Sequence, residues 1–249
     1  IRDRERGHQI LMTDVAIPLT VRREVAFSRA VYEEHAVVEG IEAVLAENFE
    51  EAETIMATRK IAVMVDEKAE VRKEYLPDVL VDGIMAKKNL GTRISDAPLV
   101  IGIGPGFTAG EDVDVVIETK RGHNLGRVIR SGSAVPNTGI PGIIGGYGKE
   151  RVMHAQAEGI LRNAASIGDI VEARAVIAEI ETENGTVPVE ASFSGLLRGL
   201  IRDGYPVTKG FKIADIDPRK EELQNCFTIS DKARCIAGSV LEVICGELE

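Results

Sequence analysis

Residues Gly159 to Ile216 state one pattern twice. Placing Gly195 beneath Gly159, an offset of 36 residues (195 − 159), aligns GILRNAASIGDIVEARAVIAEI with GLLRGLIRDGYPVTKGFKIADI without a gap. The pairs Leu161/Leu197, Gly168/Gly204, Val171/Val207, Ile177/Ile213 and Ile180/Ile216 keep their apolar or turning character. Each copy has short apolar runs and a glycine at the turn, and neither sustains a helical period over three turns, so strands are the economical reading. A unit this small cannot bury a face alone. The two copies are therefore expected to pair into a quasi-symmetric β-sandwich or barrel whose core is their shared Ile, Leu and Val. Between them runs Ile180 to Gly195, with Glu183-Asn184-Gly185 as a hairpin turn.

The chain's 249 residues are 44% hydrophobic and 28% charged, which suits a folded chain of about two domains. The net charge of −10 argues against nucleic acid as a partner. No apolar run reaches the ~20 residues of a membrane span, and no basic-then-apolar start suggests secretion, so a cytoplasmic location away from membranes is expected. Trp is absent and aromatics are only 4%, which leaves little surface for stacking bases. Cys226, Cys235 and Cys245 match no zinc spacing and read as thiols in a reducing compartment, so no metal site is expected.

Residues 1–97 alternate strand and helix patterns. The charged start IRDRERG reads as the end of a helix stopping at Gly7, and HQILMTD as a buried strand. Pro18 opens a segment in which Val21, Val25, Ala26, Ala30 and Val31 recur at helical spacing. A strand over 37–45, a helix capped by Asn48, a strand over 60–66, a helix over 68–75 and a strand over 79–82 follow. Such alternation predicts an α/β fold with a Rossmann-like parallel sheet. Asp14, Asp66 and Asp82 each end a predicted strand and would gather on one carboxyl edge, where α/β proteins bind ligands. Each also reads as a simple cap for the next turn.

Residues 98–156 form a glycine-dense β region. LVIGIGPGF is a strand running into Gly102, Gly104 and Gly106, and a strand over 112–118 leads to TKRGHNLGRVIRSG. The spacing G-x-G-x-G is neither a Walker loop nor the dinucleotide fingerprint, so these glycines are either tight-turn residues or an anion cradle. If an anionic cofactor or nucleotide is bound, the residues suited to it are Gly102, Gly104 and Gly106 with Lys120, Arg121 and His123. Asn137, Thr138 and Gly139 would add adaptable hydrogen bonds, and Asp14 would meet a ribose. Residues 157–218 hold the repeat. Residues 219–249 hold a C-terminal helix in which Thr228 and Asp231 have capping-box spacing, and Ile236, Val240 and Ile244 share a face with Ala237 and Leu241.

Two resemblances sit beside this reading. The repeat resembles the lipoyl/biotinyl carrier domains, a barrel-sandwich hybrid whose modified lysine lies on the central hairpin. Here the turn reads Glu181-Thr182-Glu183-Asn184-Gly185, so Asn184 stands at the lysine's place and the resemblance implies a barrel without carrier chemistry. More broadly, TDVAIPLTVRREVAFSRAVYE, PDVLVDGIMAKKNLGT, PLVIGIGPGFTAGEDVDVVIETKRGHNLGRVI, PNTGIPG, DGYPVTKGFKIADIDPR and FTISDKARCIAGSVLE resemble the YqeB family, described as the selenium-dependent molybdenum hydroxylase system protein. That resemblance implies a first βα unit ahead of Ile1, where a phosphate loop would sit. It also implies an accessory role in maturing a hydroxylase, with a molybdopterin-type cofactor or nucleotide as ligand and the hydroxylase as client. A plain interaction scaffold, acting through homo-oligomer or client contacts, and an enzyme acting on a nucleotide-like substrate remain the competing expectations.

Overall fold

A computed structural model describes residues 8–137, 139 and 143–247. In chain order the first elements are β1 (Leu11–Asp14), α1 (Ala30–Glu33), β2 (His35–Val38), β3 (Ile41–Ala46), α2 (Phe49–Ala57), β4 (Ile61–Val65), α3 (Arg72–Tyr75) and β5 (Val79–Asp82). The glycine-dense part gives β6 (Leu99–Ile103), β7 (Thr108–Ala109), β8 (Val115–Ile117), β9 (Val128–Ile129), β10 (Gly132–Ser133) and β11 (Val152–His154). The repeat gives β12 (Gly159–Asn163), β13 (Ile170–Val171), β14 (Val176–Thr182), β15 (Gly185–Glu190), β16 (Gly195–Leu200), β17 (Pro206–Val207) and β18 (Lys212–Asp217). The chain then reaches α4 (Asp231–Glu247). The result is a mixed α/β protein with parallel and mixed sheets and a C-terminal helix.

The described residues form two compact units. One takes in Ile10–Glu67 and Ile140–Thr228; the other takes in Ile1–Gln9, Lys68–Gly139 and Ile229–Glu249. In the first, β1, β4 and β3 run parallel and β2 returns antiparallel, in the order β1-β4-β3-β2. The strand expected over 37–45 is in fact the β2–β3 hairpin. Glu39 and Gly40 both take positive φ, +48° and +82°, the backbone of a two-residue turn whose twist suits paired strands. Asn48 caps α2 as its spacing predicts, its Oδ1 accepting from Glu51 N at 3.0 Å. The expected helix after Pro18 does not form over its full length. It breaks into two 3₁₀ turns, Arg23–Val25 and Phe27–Arg29, ahead of α1. Tertiary partners claim its groups: Val21 O accepts from Leu200 N, and Arg22 and Arg23 donate to the carbonyls of Asn225 and Leu200.

The repeat folds into two four-stranded antiparallel sheets, β15-β14-β12-β17 and β11-β18-β16-β13. Each copy lends its shortest strand to the other copy's sheet: β13 of the first pairs with β16, and β17 of the second pairs with β12. Strands two residues long could not hold a face alone, and the exchange closes both faces over one core. Leu161, Ile177, Ile180, Leu196, Leu197, Leu200, Ile213 and Ile216 are all 0% exposed in it.

In the second unit β5, β6 and β8 are parallel and β9 closes the edge antiparallel, in the order β5-β6-β8-β9. One face is covered by α4, whose Val243 is buried among Leu99, Ile101, Ile103, Val115 and Ile117 with Ile236, Val240 and Ile244 alongside. The face of α4 is therefore set by Val243. Leu241, expected on that face, is 51% exposed. Because β5 lies in a different sheet from β1 and β4, Asp82 does not share an edge with Asp14 and Asp66. Asp82 instead braces its own loop, accepting from Ile84 N at 3.1 Å and Thr92 Oγ1 at 2.6 Å.

Candidate functional site

The glycines after β6 are turn residues packed against neighbours. A Cβ on Gly102 would lie 2.6 Å from the Phe107 ring, and one on Gly104 would lie 2.8 Å from Thr119 Oγ1. Gly104 N donates to Ile117 O at 2.9 Å, so that amide is already used. Gly106 combines φ +119° with Lys88 backbone N at 2.6 Å from a would-be Cβ, so only glycine lets the segment 87–88 press onto this turn. Of the three, Gly106 alone borders open space. It lines a cleft of about 570 Å³ with Lys87, Pro105, Phe107, Thr108, Ser133, Ala134, Pro136 and Asn137.

The basic cluster forms a second, smaller cleft of about 190 Å³, lined by Glu118, Lys120, Arg121, Gly122, His123, Asn124 and Val135. Val135 borders this cleft and its neighbours in the chain, Ala134 and Pro136, border the other, so the segment 134–137 is a wall common to both. Glu118 fixes that wall. Its residue is 3% exposed, and its carboxylate accepts from Thr119 N and Lys120 N on one oxygen and from Val135 N on the other, at 2.7–2.8 Å. A carboxylate met by three backbone N–H groups is satisfied in place, and it ties the start of the basic turn to the segment that follows β10.

The cations of the two clefts are not equally free. Arg121 is held in a two-pronged pair with Asp231 in the first turn of α4, at 2.6 and 2.8 Å, and the hydrogen bonds it donates to that carboxylate raise its pKa. Lys87 and Lys120 make no side-chain ion pair among the described residues. Lys232, next to Asp231, is half-buried, and its pKa is lowered by that burial and by the Arg121 charge, against a smaller opposite pull from Glu118. Ser230 rather than Thr228 caps α4, its Oγ accepting from Ala233 N at 3.2 Å, while Thr228 donates to Gln224 O.

The structure thus brings Gly106 and Asn137 to one cleft and Lys120, Arg121 and His123 to its neighbour. Gly102 and Gly104 sit beneath them as packing, and Gly139 has open space around it and lines neither cleft. Thr138 lies outside the described residues. Asp14 belongs to the other unit, where it ends β1, accepts from Val15 N at 2.8 Å and has its carboxyl pushed up by burial. Sequence reading missed Lys87, Thr108 and Ser133. The two hydroxyls are brought together at 3.1 Å by the β7–β10 pair, a contact between residues 25 apart that leaves no local signal. Lys87 did carry one, as a Lys-Lys step inside an apolar loop.

No family model matches the chain. Among solved structures it is similar to the apo ectoine utilization protein EutE (DoeB) from Ruegeria pomeroyi, at 13% identity and TM-score 0.26 over 39% of this chain and 27% of that one. It is also similar to an aspartoacylase family protein from Mesorhizobium loti, at 9% identity and TM-score 0.29 over 83% and 84%. At such scores neither likeness carries an argument about fold or chemistry. The sequence relation is far stronger: the chain is 47% identical over 239 residues to the uncharacterized protein YqeB of Escherichia coli (strain K12), covering 96% of this chain and 43% of that protein. The chain spans less than half the length of that curated relative, and along nearly all of its own length the similarity supports the YqeB family.

Proposed function

We propose that the unit carrying the two clefts binds a small phosphate-bearing molecule, and that the chain serves as part of an accessory factor maturing a selenium-dependent molybdenum hydroxylase. The observation that supports this reading is the common wall 134–137. On one side it faces Lys87, Thr108 and Ser133, and on the other Lys120, Arg121 and His123. An unpaired lysine on each side can neutralise an anion, while Asn137 and the hydroxyls can orient it. The larger cleft falls in the ~300–1,000 Å³ range of small-molecule sites. A molybdopterin-type cofactor or a nucleotide fits such a donor set: the lysine of the cleft it occupies, Lys87 or Lys120, would hold its phosphate, and the wall residues its polar ring. Such a group would supply the redox or carrier chemistry, and this chain's residues would bind and orient it. In the other unit, the exchange of short strands between repeat copies and the exposed hairpin tip at Asn184 favour a lipoyl-like barrel used for contacts rather than as a carrier.

A scaffold role is the second reading, favoured by the loop after β5, where Ile84 and Leu90 are 61% and 57% exposed beside Lys87 and Lys88. One experiment separates the two. Thermal unfolding of the full chain is followed with molybdopterin, nucleotides and selenophosphate, for the wild type and for Lys87→Ala and Lys120→Ala. A ligand at 100 times its dissociation constant adds about 2.7 kcal/mol of stability. The expected result is a rise in the unfolding midpoint that the substitution in the occupied cleft, Lys87→Ala or Lys120→Ala, reduces. No shift with any of the ligands would leave the scaffold reading in its place.

A further inference from the structure

The loop between β5 and β6 carries a patch that reaches beyond the cleft its Lys87 lines. Residues 83–94 hold Lys87, Lys88 and Arg93 and no Asp or Glu, in a chain whose net charge is −10. All three cations are exposed, and none makes a side-chain ion pair among the described residues. The acids that flank the loop are engaged elsewhere. Asp82 is buried and accepts from Ile84 N and Thr92 Oγ1, while Asp96 accepts from Arg93 N at 2.9 Å and lies 3.3 Å from Arg72 Nε. Ile84, Met85, Leu90 and Ile94 are exposed among the cations.

The loop is nevertheless tightly braced. Asp82 draws its two ends to one carboxylate, and Asn89 closes the tip: its Oδ1 accepts from Gly91 N and Thr92 N at 2.8 and 2.9 Å, and its Nδ2 donates to Thr92 O at 2.8 Å. Met85 and Lys87 are held at φ +61° and +65°, a left-handed backbone that is costly for side chains of this size. A braced, strained loop that leaves its apolar side chains in water presents a surface suited to contact.

We infer that this loop is the docking site for an acidic, apolar segment of a partner protein, whose large apolar side chains cover Ile84, Leu90 and Ile94 while its carboxylates meet Lys87, Lys88 and Arg93. The inference rests on the scaffold reading of the same loop and not on anion binding in the clefts. Charge selects this occupant. An isologous contact with a second copy would set two groups of unpaired cations against each other. Anionic bilayers recruit clusters of about four to eight cations, more than the three here, and repel a molecule of net charge −10 as a whole. An acidic segment meets local charge of opposite sign, and its apolar residues exclude water from the ion pairs.

A phage-displayed library of random short peptides is selected on the immobilised full chain and counter-selected on a folded Ile84→Ser/Lys88→Glu double variant. The expected result is enrichment of sequences in which Asp or Glu is interspersed with large apolar residues. A synthetic peptide of the enriched sequence, titrated by fluorescence anisotropy, should lose about tenfold or more in affinity with Lys88→Glu or Leu90→Ser. Its binding should also weaken as salt is raised. Lys209→Glu, the same charge change on an exposed lysine of the other unit, should leave binding unmoved. Enrichment of basic or uncharged sequences, equal enrichment on the double variant, or no enrichment overturns the inference. So does co-sedimentation with phosphatidylserine vesicles, or a dimer in light scattering, that the double variant loses. Basic or uncharged peptides that still require Ile84 sink the acidic partner and leave the loop as a contact surface, whereas a loop that selects nothing removes both.

Discussion

At the scale of single residues, the most constrained group is Asp217 at the end of β18. It is 0% exposed and accepts from Arg219 Nε at 2.9 Å, Arg219 Nη2 at 2.7 Å, Arg219 N at 3.1 Å and Arg198 Nη1 at 3.2 Å. Burial pushes its carboxyl up, and the hydrogen bonds and charge of Arg219, joined by Arg198, outweigh that and hold it below the usual range. Nearby Asp215 goes the other way: burial raises it in spite of Arg151, Lys212, Arg198 and Arg22. A depressed carboxyl contributes stability that is present above its unfolded pKa and lost as pH falls through its folded one. A raised one opposes folding at neutral pH and ceases to do so once protonated. Asp217→Asn leaves two arginines short of a partner and should cost about 3–5 kcal/mol at neutral pH. Urea unfolding of both proteins as pH is lowered checks this: the gap between them should narrow in acid, and a gap independent of pH would contradict the assignment.

At the scale of elements, the exchange of short strands gives the two halves of the sandwich the same pairing topology. Leu161 on β12 and Leu197 on β16 occupy the same place in each copy, and both are 0% exposed in one core. Leu161→Ala and Leu197→Ala should therefore each lose about 2–5 kcal/mol, with similar values. Denaturant midpoints at constant m-value are the measurement, and a large disparity would show that the repeat is symmetric in topology but not in packing. Other elements show how much was readable before folding. The Asn48 cap, the apolar strands and the Glu183–Gly185 turn were legible because their causes are local. The 3₁₀ turns after Pro18 were not, because the partners of Val21, Arg22 and Arg23 lie roughly 180–200 residues away in the chain.

At the scale of the whole molecule, each unit is assembled from distant segments: residues 10–67 join residues 140–228 in one, and α4 covers strands from residues 99–117 in the other. Such wiring has high contact order, and the loop-closure entropy of each long-range pairing is spent before its contacts form. Refolding should fall at or beyond the slow, millisecond-to-second end for β-rich domains. With no Trp in the chain, stopped-flow circular dichroism is the suitable probe, and completion within microseconds would refute this view.

What local chemistry can fix was already written into the residues. The 36-residue offset (195 − 159) required two interlocked halves, because neither could bury a face alone. Side-chain caps and turn residues set where elements begin and end, and the phrases shared along the chain marked its kinship. Which strands share a sheet was settled by long-range pairing, and that separated Asp82 from Asp14. Tertiary packing alone buried Glu118 as the clamp of a wall between two clefts, packed Gly102 and Gly104 out of reach and bound Arg121 to Asp231, 110 residues on. The physical reason is common to all of these: a side chain's period and propensity are properties of its neighbours in the chain. Its burial, charge partners and access to a ligand are properties of its neighbours in space.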